Sequence, residues 1–568
     1  MDINARYAEW VNSSVVSAKD KATLKKMSPD EKADAFFKDI EFGTAGMRGV
    51  LGPGTNRINS WTIQKATVAF GQYLLEKFPE AKTMGVAISH DNRHQSREFT
   101  LESARILNEM GIKAYIFDSL RPTPELSYAV RYVHACGGIM ITASHNPKEY
   151  NGYKVYDETG CQLVPDKIER LLEIIAELPD YLDVEVPQAQ VKGEMITFDE
   201  AIDDDYVKAV EAIQINPDLK KQGFKIVYSP QHGTSYENAM RVFKDCGYQV
   251  IPVMSQCTHD PDFSGTLSPN PENPDAYIES IKTAKANKAN LIVMTDPDGD
   301  RVGVAYLSSK GTYELFTGNQ SAALLLDYIL SERKAKGTLP KDGVMYDTIV
   351  TSSLGREIAE SYGLKVESFL TGFKFIGDRI AHYEALGKGP TFVFGYEESY
   401  GCLIAPFVRD KDGIQAILLY CEMALWHFLR KEPLDVAYDK LMEKYGYHDA
   451  VCNSVYFEGP QGAANMAKIM ETLHDHPLRQ IAGVPVDEVY DYGKQLHYKD
   501  GETTPIDLPK SEVVKFILDD KSTITVRPSG TEPKCKFYIE AVNSEKEGLK
   551  EKTENFYRSL LQDLKIKG

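Results

Sequence analysis

No stretch of the 568 residues is both long enough and apolar enough to cross a membrane. Runs such as "ANLIVM" are short, "LLLDYIL" is broken by Asp327, and a spanning helix needs roughly 20 apolar residues. The opening "MDINARYAEW" has no basic segment leading into an apolar one, so no secretory signal is expected. Cysteine is sparse: there are eight, and no two form a C-x-x-C pair. That argues for free thiols in a reducing compartment, and so for a cytoplasmic location. Positive charge is in deficit as well, with 65 Lys and Arg against 83 Asp and Glu and a formal net charge of −18. A nucleic-acid partner needs a basic face, which excludes that class. An anionic small molecule would be bound only if lysines and arginines were gathered locally.

A hydrophobic content of 42% with 26% charged residues is that of an ordinary globular chain, and this length predicts three or four domains. The first forty residues read as a helical arm. Then one pattern is written three times. "GVAISHD" is a strand ending in a polar loop, "SREFTLESARILNEMG" an amphipathic helix ending in glycine, and "IKAYIF" a second strand. A further helix leads to "GGIMIT", which delivers "ASHNPKEYNGYKVY". The order recurs from "FKIVYSPQHG" to "ANLIVM" and "TDPDGDR", and again from "GVMYDTIV" to "PTFVF" and "GYEESYG". Such alternation predicts α/β units with mainly parallel, doubly covered sheets, each presenting a polar loop at the carboxyl end of a strand. From about residue 440 the pattern changes to an α+β tail, in which "STITVRPSGTEPKCKFYIEA" reads as strand, loop and strand.

The loops carry the chemistry. Ser144 follows an apolar strand with His145 beside it and Lys154 ten residues on. No G-x-S-x-G elbow surrounds Ser144, which disfavours an acyl-transfer hydrolase. "DPDGD" sets Asp296, Asp298 and Asp300 at alternate positions, so an extended segment would point all three to one side. Three crowded acids need a cation, and hard oxygen ligands select Mg²⁺, Ca²⁺ or Mn²⁺. An EF-hand is excluded, because Arg301 stands where its glycine would be and Leu307 where its glutamate would be. "RPSGTEPK" combines Arg527 with hydroxyls and turn N–H groups, a set suited to phosphate. Glu397, Glu398 and Ser399 in "GYEES" suit sugar hydroxyls.

In this order, "TASHNPKEYNGYKVY", "TDPDGDR", "GYEESYG" and "RPSGTEPK", with "GTAGMRG" near the start, closely resemble the motifs of the α-D-phosphohexomutases. "TGFKFIGDR" and "GYEESYGCL" are most similar to the branch that holds phosphoglucomutases and phosphopentomutases. The resemblance spans essentially the whole chain. It implies an α/β fold of four domains around a central cleft. Three related mixed α/β sandwich domains would cover 1–205, 206–315 and 316–440, and a C-terminal α+β domain 441–568.

The activity implied is interconversion of α-D-glucose 1-phosphate and glucose 6-phosphate, with glucose 1,6-bisphosphate as activator and intermediate. Ser144 would carry the phosphoryl group and, with Asp296, Asp298 and Asp300, hold Mg²⁺. Arg48, His145 and Lys154 would surround the transferred group, Lys154 as a general acid/base. Glu397 and Ser399 would grip sugar hydroxyls, while Arg527, Ser529, Gly530 and Thr531 would bind the idle phosphate. Arg301, Lys374, Arg409 and Lys411 match the family's basic positions. The pattern departs at Gly401 and Phe407, near places where some members carry a histidine. Rival readings are a phosphopentomutase, a phosphomannomutase, and a metal-dependent phosphomonoesterase that passes the group to water. A non-catalytic sugar-phosphate sensor is disfavoured by the intact Ser144 and three aspartates. The expected partners are small sugar phosphates, with no nucleic acid and no membrane, and the expected assembly is a monomer or weak dimer.

Overall fold

In the computed structural model, which describes residues 2–43, 46–457, 459–529 and 534–566, the chain divides into two units. One comprises Met1–Gly318, Phe373–Gly395 and Ser399–Lys431, the other Asn319–Gly372, Tyr396–Glu398 and Glu432–Gly568.

Two sheets organise the first unit. Strands β1 (Met47–Val50), β2 (Val86–His90), β3 (Ala114–Ile116), β4 (Gly137–Ile141), β5 (Tyr150–Asp157) and β6 (Met195–Thr197) lie in the order β1-β5-β4-β2-β3-β6. The β4-β2-β3-β6 part is parallel, whereas β5 returns antiparallel beside β4 and pairs β1 in the same sense. The second sheet repeats the plan with β7 (Lys225–Ser229), β8 (Gln249–Pro252), β9 (Leu291–Thr295), β10 (Val302–Leu307) and β11 (Tyr313–Leu315), ordered β11-β10-β9-β7-β8. Here β8, β7 and β9 are parallel, and β10 returns antiparallel beside β9.

Both faces of the first sheet are covered, because alternate strand residues belong to different apolar clusters. Ile88, Ile139 and Ile141 join Phe70 and Phe99 of the helices Ser60–Lys77 and Ser96–Glu109. Ala87 and Met140 join Leu126 and Val130 of the helix Thr123–Tyr132. Burial on both faces is why these strands read as unbroken apolar runs. The expected N-terminal arm is three helices, Ile3–Asn12, Ala18–Lys26 and Pro29–Phe36. Trp10 anchors it edge-on against Phe36 and Trp61.

In the second unit, Gly343–Thr348 and Lys365–Phe369 pair in parallel, with the helix Ser353–Ser361 between them in sequence. The tail forms an antiparallel sheet in which Thr523–Pro528 pairs Lys534–Asn543, and the helix Leu549–Asp563 packs on it. The sheet also holds the meander Val484–Asp491, Leu496–Lys499 and Glu502–Pro505, which no motif in the sequence marks.

The repeated helix–glycine–strand junction has a backbone cause. Gly111, Gly247 and Gly363 each follow a helix with φ of 82°, 76° and 84°, the left-handed ending that glycine adopts without strain. A Cβ at Gly363 would meet nothing within 4 Å, whereas one at Gly111 would lie 2.9 Å from the Ala189 methyl. Gly363→Ala should therefore cost about 1 kcal/mol, the conformational penalty alone, and Gly111→Ala distinctly more. Urea unfolding midpoints followed by circular dichroism check the order. An unshifted midpoint for Gly363→Ala would remove the backbone argument.

Candidate active site

At Ile141 strand β4 ends, and 142–149 must reverse the chain so that β5 can return beside it. Ser144 sits in this reversal with φ of 51°, a left-handed conformation that costs a non-glycine residue roughly 1–3 kcal/mol. Its N–H donates to Thr142 Oγ1 at 2.8 Å, and its buried hydroxyl donates to Asp296 Oδ2 at 2.8 Å. His145 Nδ1 lies 3.2 Å from the same hydroxyl. The return strand brings Lys154 opposite Met140, and Arg48 on β1 stands opposite Gly152. Gly152 is required by close approach: a Cβ there would lie 2.5 Å from the Thr142 carbonyl oxygen and 2.7 Å from that of Met47. Arg48 Nη1 donates to Asn146 Oδ1 at 2.9 Å.

The aspartates converge as expected, but through a turn and not through an extended segment. The Gly299 N–H donates to the Asp296 carbonyl at 3.0 Å, with Gly299 at φ of 72°. Asp296 Oδ1 accepts the N–H groups of Asp300 and Arg301 at 3.1 and 3.0 Å, which folds the loop over its first carboxylate. Lys154 Nζ is 2.9 Å from Asp298 Oδ2 and 3.8 Å from Asp300 Oδ2, and Lys411 Nζ is 2.9 Å from Asp300 Oδ2. Arg301 pairs Glu272 at 2.7 Å, with its Nε 4.0 Å from both Asp296 and Asp300. The local basic cluster that a −18 chain requires is thus in place around Ser144.

Burial, and then the charges of Asp298 and Asp300, push the Asp296 carboxyl well above the usual carboxylate range. Burial acts on Asp298 too, yet Lys154 and Lys411 outweigh it and hold that carboxyl below its ordinary value. Burial and the neighbouring Arg301 and Arg48 guanidinium groups push the half-buried His145 well down, so its imidazole is neutral near pH 7. One oxygen from each aspartate lies within 4.8 Å of the others. Asp298 Oδ1 and Asp300 Oδ1 are buried with no hydrogen-bond partner. Converging carboxylates with unused lone pairs fit a hard divalent cation.

Lys374 opens the helix Lys374–Leu386, is buried, and has its pKa lowered to about 8 by that burial. The Arg409 guanidinium donates to the Pro406 carbonyl and pairs with Glu384. Ser399 is half-buried. Phe407 packs edge-on against Tyr128 and Tyr206, and Gly401 opens the strand Gly401–Leu403, so both departures from the family pattern have packing or backbone roles. In the second unit, Glu397 is buried at the end of Thr391–Glu397, Arg527 lies on Thr523–Pro528 opposite Lys536, and the Ser529 N–H donates to the Lys534 carbonyl at 2.8 Å. Gly530 and Thr531 lie outside the described residues.

Sequence reasoning missed Thr123. Its N–H donates to the Asp298 carbonyl at 2.9 Å and its hydroxyl to Asp298 Oδ2 at 3.2 Å. "RPTPE" carries no signal that would have paired it with a loop 175 positions away. Removing an outer contact of this kind costs roughly 10- to 100-fold in metal affinity. Thr123→Val should lose that much Mn²⁺ or Mg²⁺ binding by calorimetric titration, and Asp298→Asn more. Undiminished affinity in Asp298→Asn would reduce the loop to an acidic turn.

The chain matches the phosphoglucomutase/phosphomannomutase alpha/beta/alpha domain I over residues 39–181, domain II over 204–308, domain III over 317–445, and the C-terminal domain over 478–556. It is 36% identical over 515 residues to a phosphoglucomutase of Staphylococcus epidermidis, covering 90% of this chain and 92% of that one. To a phosphoglucomutase of Staphylococcus aureus it is 35% identical over 537 residues, covering 94% of each. Its fold is shared with pp63/parafusin, a phosphoglucomutase of Paramecium solved in an open form, at a TM-score of 0.66 and 18% identity over 93% of this chain and 96% of that one. With four consecutive domain matches and relatives of this similarity over nearly its whole length, the chain belongs to the phosphoglucomutase/phosphomannomutase family.

Proposed function

We propose that the chain is a phosphoglucomutase, interconverting α-D-glucose 1-phosphate and glucose 6-phosphate through a phosphoryl group carried on Ser144. The observation that carries this reading is the Ser144 hydroxyl itself, 2.8 Å from one of three converging aspartates, the other two of which are paired with Lys154 and Lys411. Its closeness to relatives named phosphoglucomutase supports the choice of sugar.

In the forward half-reaction the Ser144 Oγ–P bond breaks as a sugar hydroxyl forms a new O–P bond, giving glucose 1,6-bisphosphate. The hydroxyl proton leaves to a base beside Ser144. His145 is neutral and 3.2 Å from Oγ, so it can take that proton, and Lys154, ion-paired to Asp298 at 2.9 Å, is the acid that protonates the Ser144 oxygen as it leaves. Asp296, Asp298, Asp300 and an oxygen of the phosphorylated Ser144 would hold Mg²⁺, whose charge would neutralise phosphoryl oxygens. Arg48, Arg301 and Lys411 bring positive charge to the same group. Glu397 and Ser399 would bond sugar hydroxyls, and Arg527, Ser529, Gly530 and Thr531 would hold the idle phosphate; Lys374 would supply further charge, as would Arg409 on exchanging Glu384 for the substrate. The bisphosphate then turns over and returns its other phosphate to Ser144. In this reading the four domains, taken as 1–205, 206–315, 316–440 and 441–568, contribute the phosphoserine, metal-binding, sugar-binding and phosphate-binding loops in that order. The enzyme is read as a cytoplasmic monomer or weak dimer, and among the described residues no helix is long and apolar enough to cross a membrane.

Intact mass and peptide mapping after incubation with glucose 1,6-bisphosphate should find one phosphoryl group, on Ser144. Ser144→Ala should abolish mutase activity. Full activity in that variant would end the nucleophile assignment, and stoichiometric release of inorganic phosphate would favour a phosphomonoesterase.

Lys374 sets a pH limb. Its proton is lost near pH 8 in the folded chain and near 10.5 when unfolded. Stability therefore rises with pH between these values, where only the unfolded chain binds the proton. Phosphate binding moves the opposite way, since the neutral amine no longer attracts an anion. The value of kcat/KM should fall as pH rises through about 8, and Lys374→Arg should move that fall to higher pH. An unmoved limb would detach Lys374 from the substrate.

A further inference from the structure

The stretch "SHDNRHQS", 89–96, precedes the reactive loop by some fifty residues and has no part in the function described so far. It begins in the last two residues of β2, which lies beside β4 in the sheet, so its polar residues reach the base of the Ser144 loop. Asp91 and Arg93 form an ion pair at 3.1 Å with both side chains fully excluded from solvent. Burying such a pair is unfavourable unless its remaining donors and acceptors are satisfied. The terminal guanidinium donors are satisfied by one short segment. Arg93 Nη2 donates to the carbonyls of Ser144 and Asn146 at 2.6 and 2.5 Å, and Nη1 to those of Pro147 and Tyr150 at 2.8 and 3.1 Å. Phe263 closes the stack, with its ring centroid 5.1 Å from the guanidinium carbon.

Asp91 works from the other side. Its Oδ1 accepts the Arg93 N–H and the Ser96 hydroxyl at 2.9 and 2.7 Å, and its Oδ2 accepts the Thr142 hydroxyl at 2.7 Å. Thr142 Oγ1 in turn accepts the Ser144 N–H at 2.8 Å. Both polar groups of the Ser144 backbone are therefore held by one buried ion pair, the carbonyl directly through Arg93 and the N–H through Thr142 and Asp91. Ser144 is also the loop residue with a left-handed backbone, and such a conformation persists only where its surroundings over-determine it.

We propose that Arg93, locked by Asp91, is a positioning residue for phosphoryl transfer: it pins the backbone of Ser144 so that Oγ points at Asp296. The proposal rests on the reading of Ser144 as the phosphoryl carrier. Arginine is needed for its planar fork, whose parallel donors span four carbonyls. A lysine offers three donors from a single point and cannot bridge them. Releasing the clamp would leave the aspartates, Lys154 and Lys411 in place while letting Ser144 drift, and a misplacement of about 1 Å costs on the order of 10²-fold in rate.

The test compares the full-length wild type with Arg93→Lys and with Thr142→Val, which removes the relay to Asp91 while keeping the side-chain shape. Melting by circular dichroism reports the fold, and Mg²⁺ titration of the unphosphorylated protein, in which Ser144 supplies no phosphoryl oxygen, reports the aspartate loop. Intact mass against time reports transfer from glucose 1,6-bisphosphate to Ser144. We expect a folded Arg93→Lys that binds Mg²⁺ as the wild type does, with KM for glucose 1-phosphate close to wild type and transfer to Ser144 slower by about 10²-fold. Thr142→Val should lose less, in the same direction, and guanidinium ion should partly restore Arg93→Ala. Wild-type transfer rates in folded Arg93→Lys or Thr142→Val would overturn the inference. So would a loss of Mg²⁺ affinity parallel to the loss of rate, which marks general loosening. If Arg93→Lys does not fold, Thr142→Val decides by the same readouts. Failure of the wild type itself to take a phosphoryl group on Ser144 would overturn the carrier reading, and this inference with it. A phosphorylated wild type with unaffected variants would overturn this inference alone.

Discussion

Three carboxylates buried within 4.8 Å of one another are the constraint from which the rest of the first unit can be understood. Each buried ion forfeits hydration worth several kcal/mol, and the like charges add repulsion. Such a group survives only if cations are delivered to it. Lys154 arrives from β5, Lys411 from the segment that begins the helix Gly413–Leu429, and Arg301 from the aspartate loop itself. The lone pairs left on Asp298 and Asp300 are where a divalent cation would complete the neutralisation. A chain of net charge −18 can in this way present a surface that attracts a sugar phosphate, because fields at hydrogen-bond distance outweigh a distributed charge that salt screens within about 10 Å.

The two sheets serve that constraint by the same device. In each, a buried parallel strand, β4 or β9, ends in the polar loop, and the next strand returns antiparallel along its edge. The return keeps the loop short and rooted at both ends in a sheet, which is stiffer than a long crossover would be. It also places a side chain from the returning strand over the loop, as Lys154 shows. The cost is crowding, met by Gly152 where three strands approach, and backbone strain at Ser144. The Asp91–Arg93 pair meets the second by supplying donors for the carbonyls of the reversal. The phosphoryl carrier of our proposal therefore depends on residues with no chemical role of their own.

Much of this is legible in the sequence. Apolar runs that alternate with amphipathic helices, each closed by a glycine, follow from local rules. Backbone sterics put glycine at left-handed helix ends, and burial on two faces makes parallel strands uniformly apolar. The gathering of Asp296, Asp298 and Asp300 was legible from spacing alone, although the stated reason was incomplete: a turn at Gly299, not an extended segment, brings them together. The meander from Val484 to Pro505 was not legible. Leu496–Lys499 and Glu502–Pro505 are four residues each and half-buried or exposed, so they carry little of the apolar periodicity by which strands are recognised, and Val484–Asp491 is interrupted by Pro485 and the acids Asp487 and Glu488.

The sequence by itself determined the α/β units, the position of each polar loop at a strand end, and the family. Those depend on near neighbours in the chain and on motifs that stay contiguous. Only the tertiary structure decided the partners: Lys154 with Asp298 across 144 positions, Ser144 with Asp296 across 152, Thr123 with Asp298, and Arg93 with four carbonyls of one loop. It likewise tied Arg409 to Glu384 and left Lys411 on Asp300, two basic residues that the sequence could not tell apart. The physical reason is that a charged side chain takes whichever opposite charge the packing of strands and helices brings within about 3 Å, and that distance is set by sheet order and register, which no local pattern encodes.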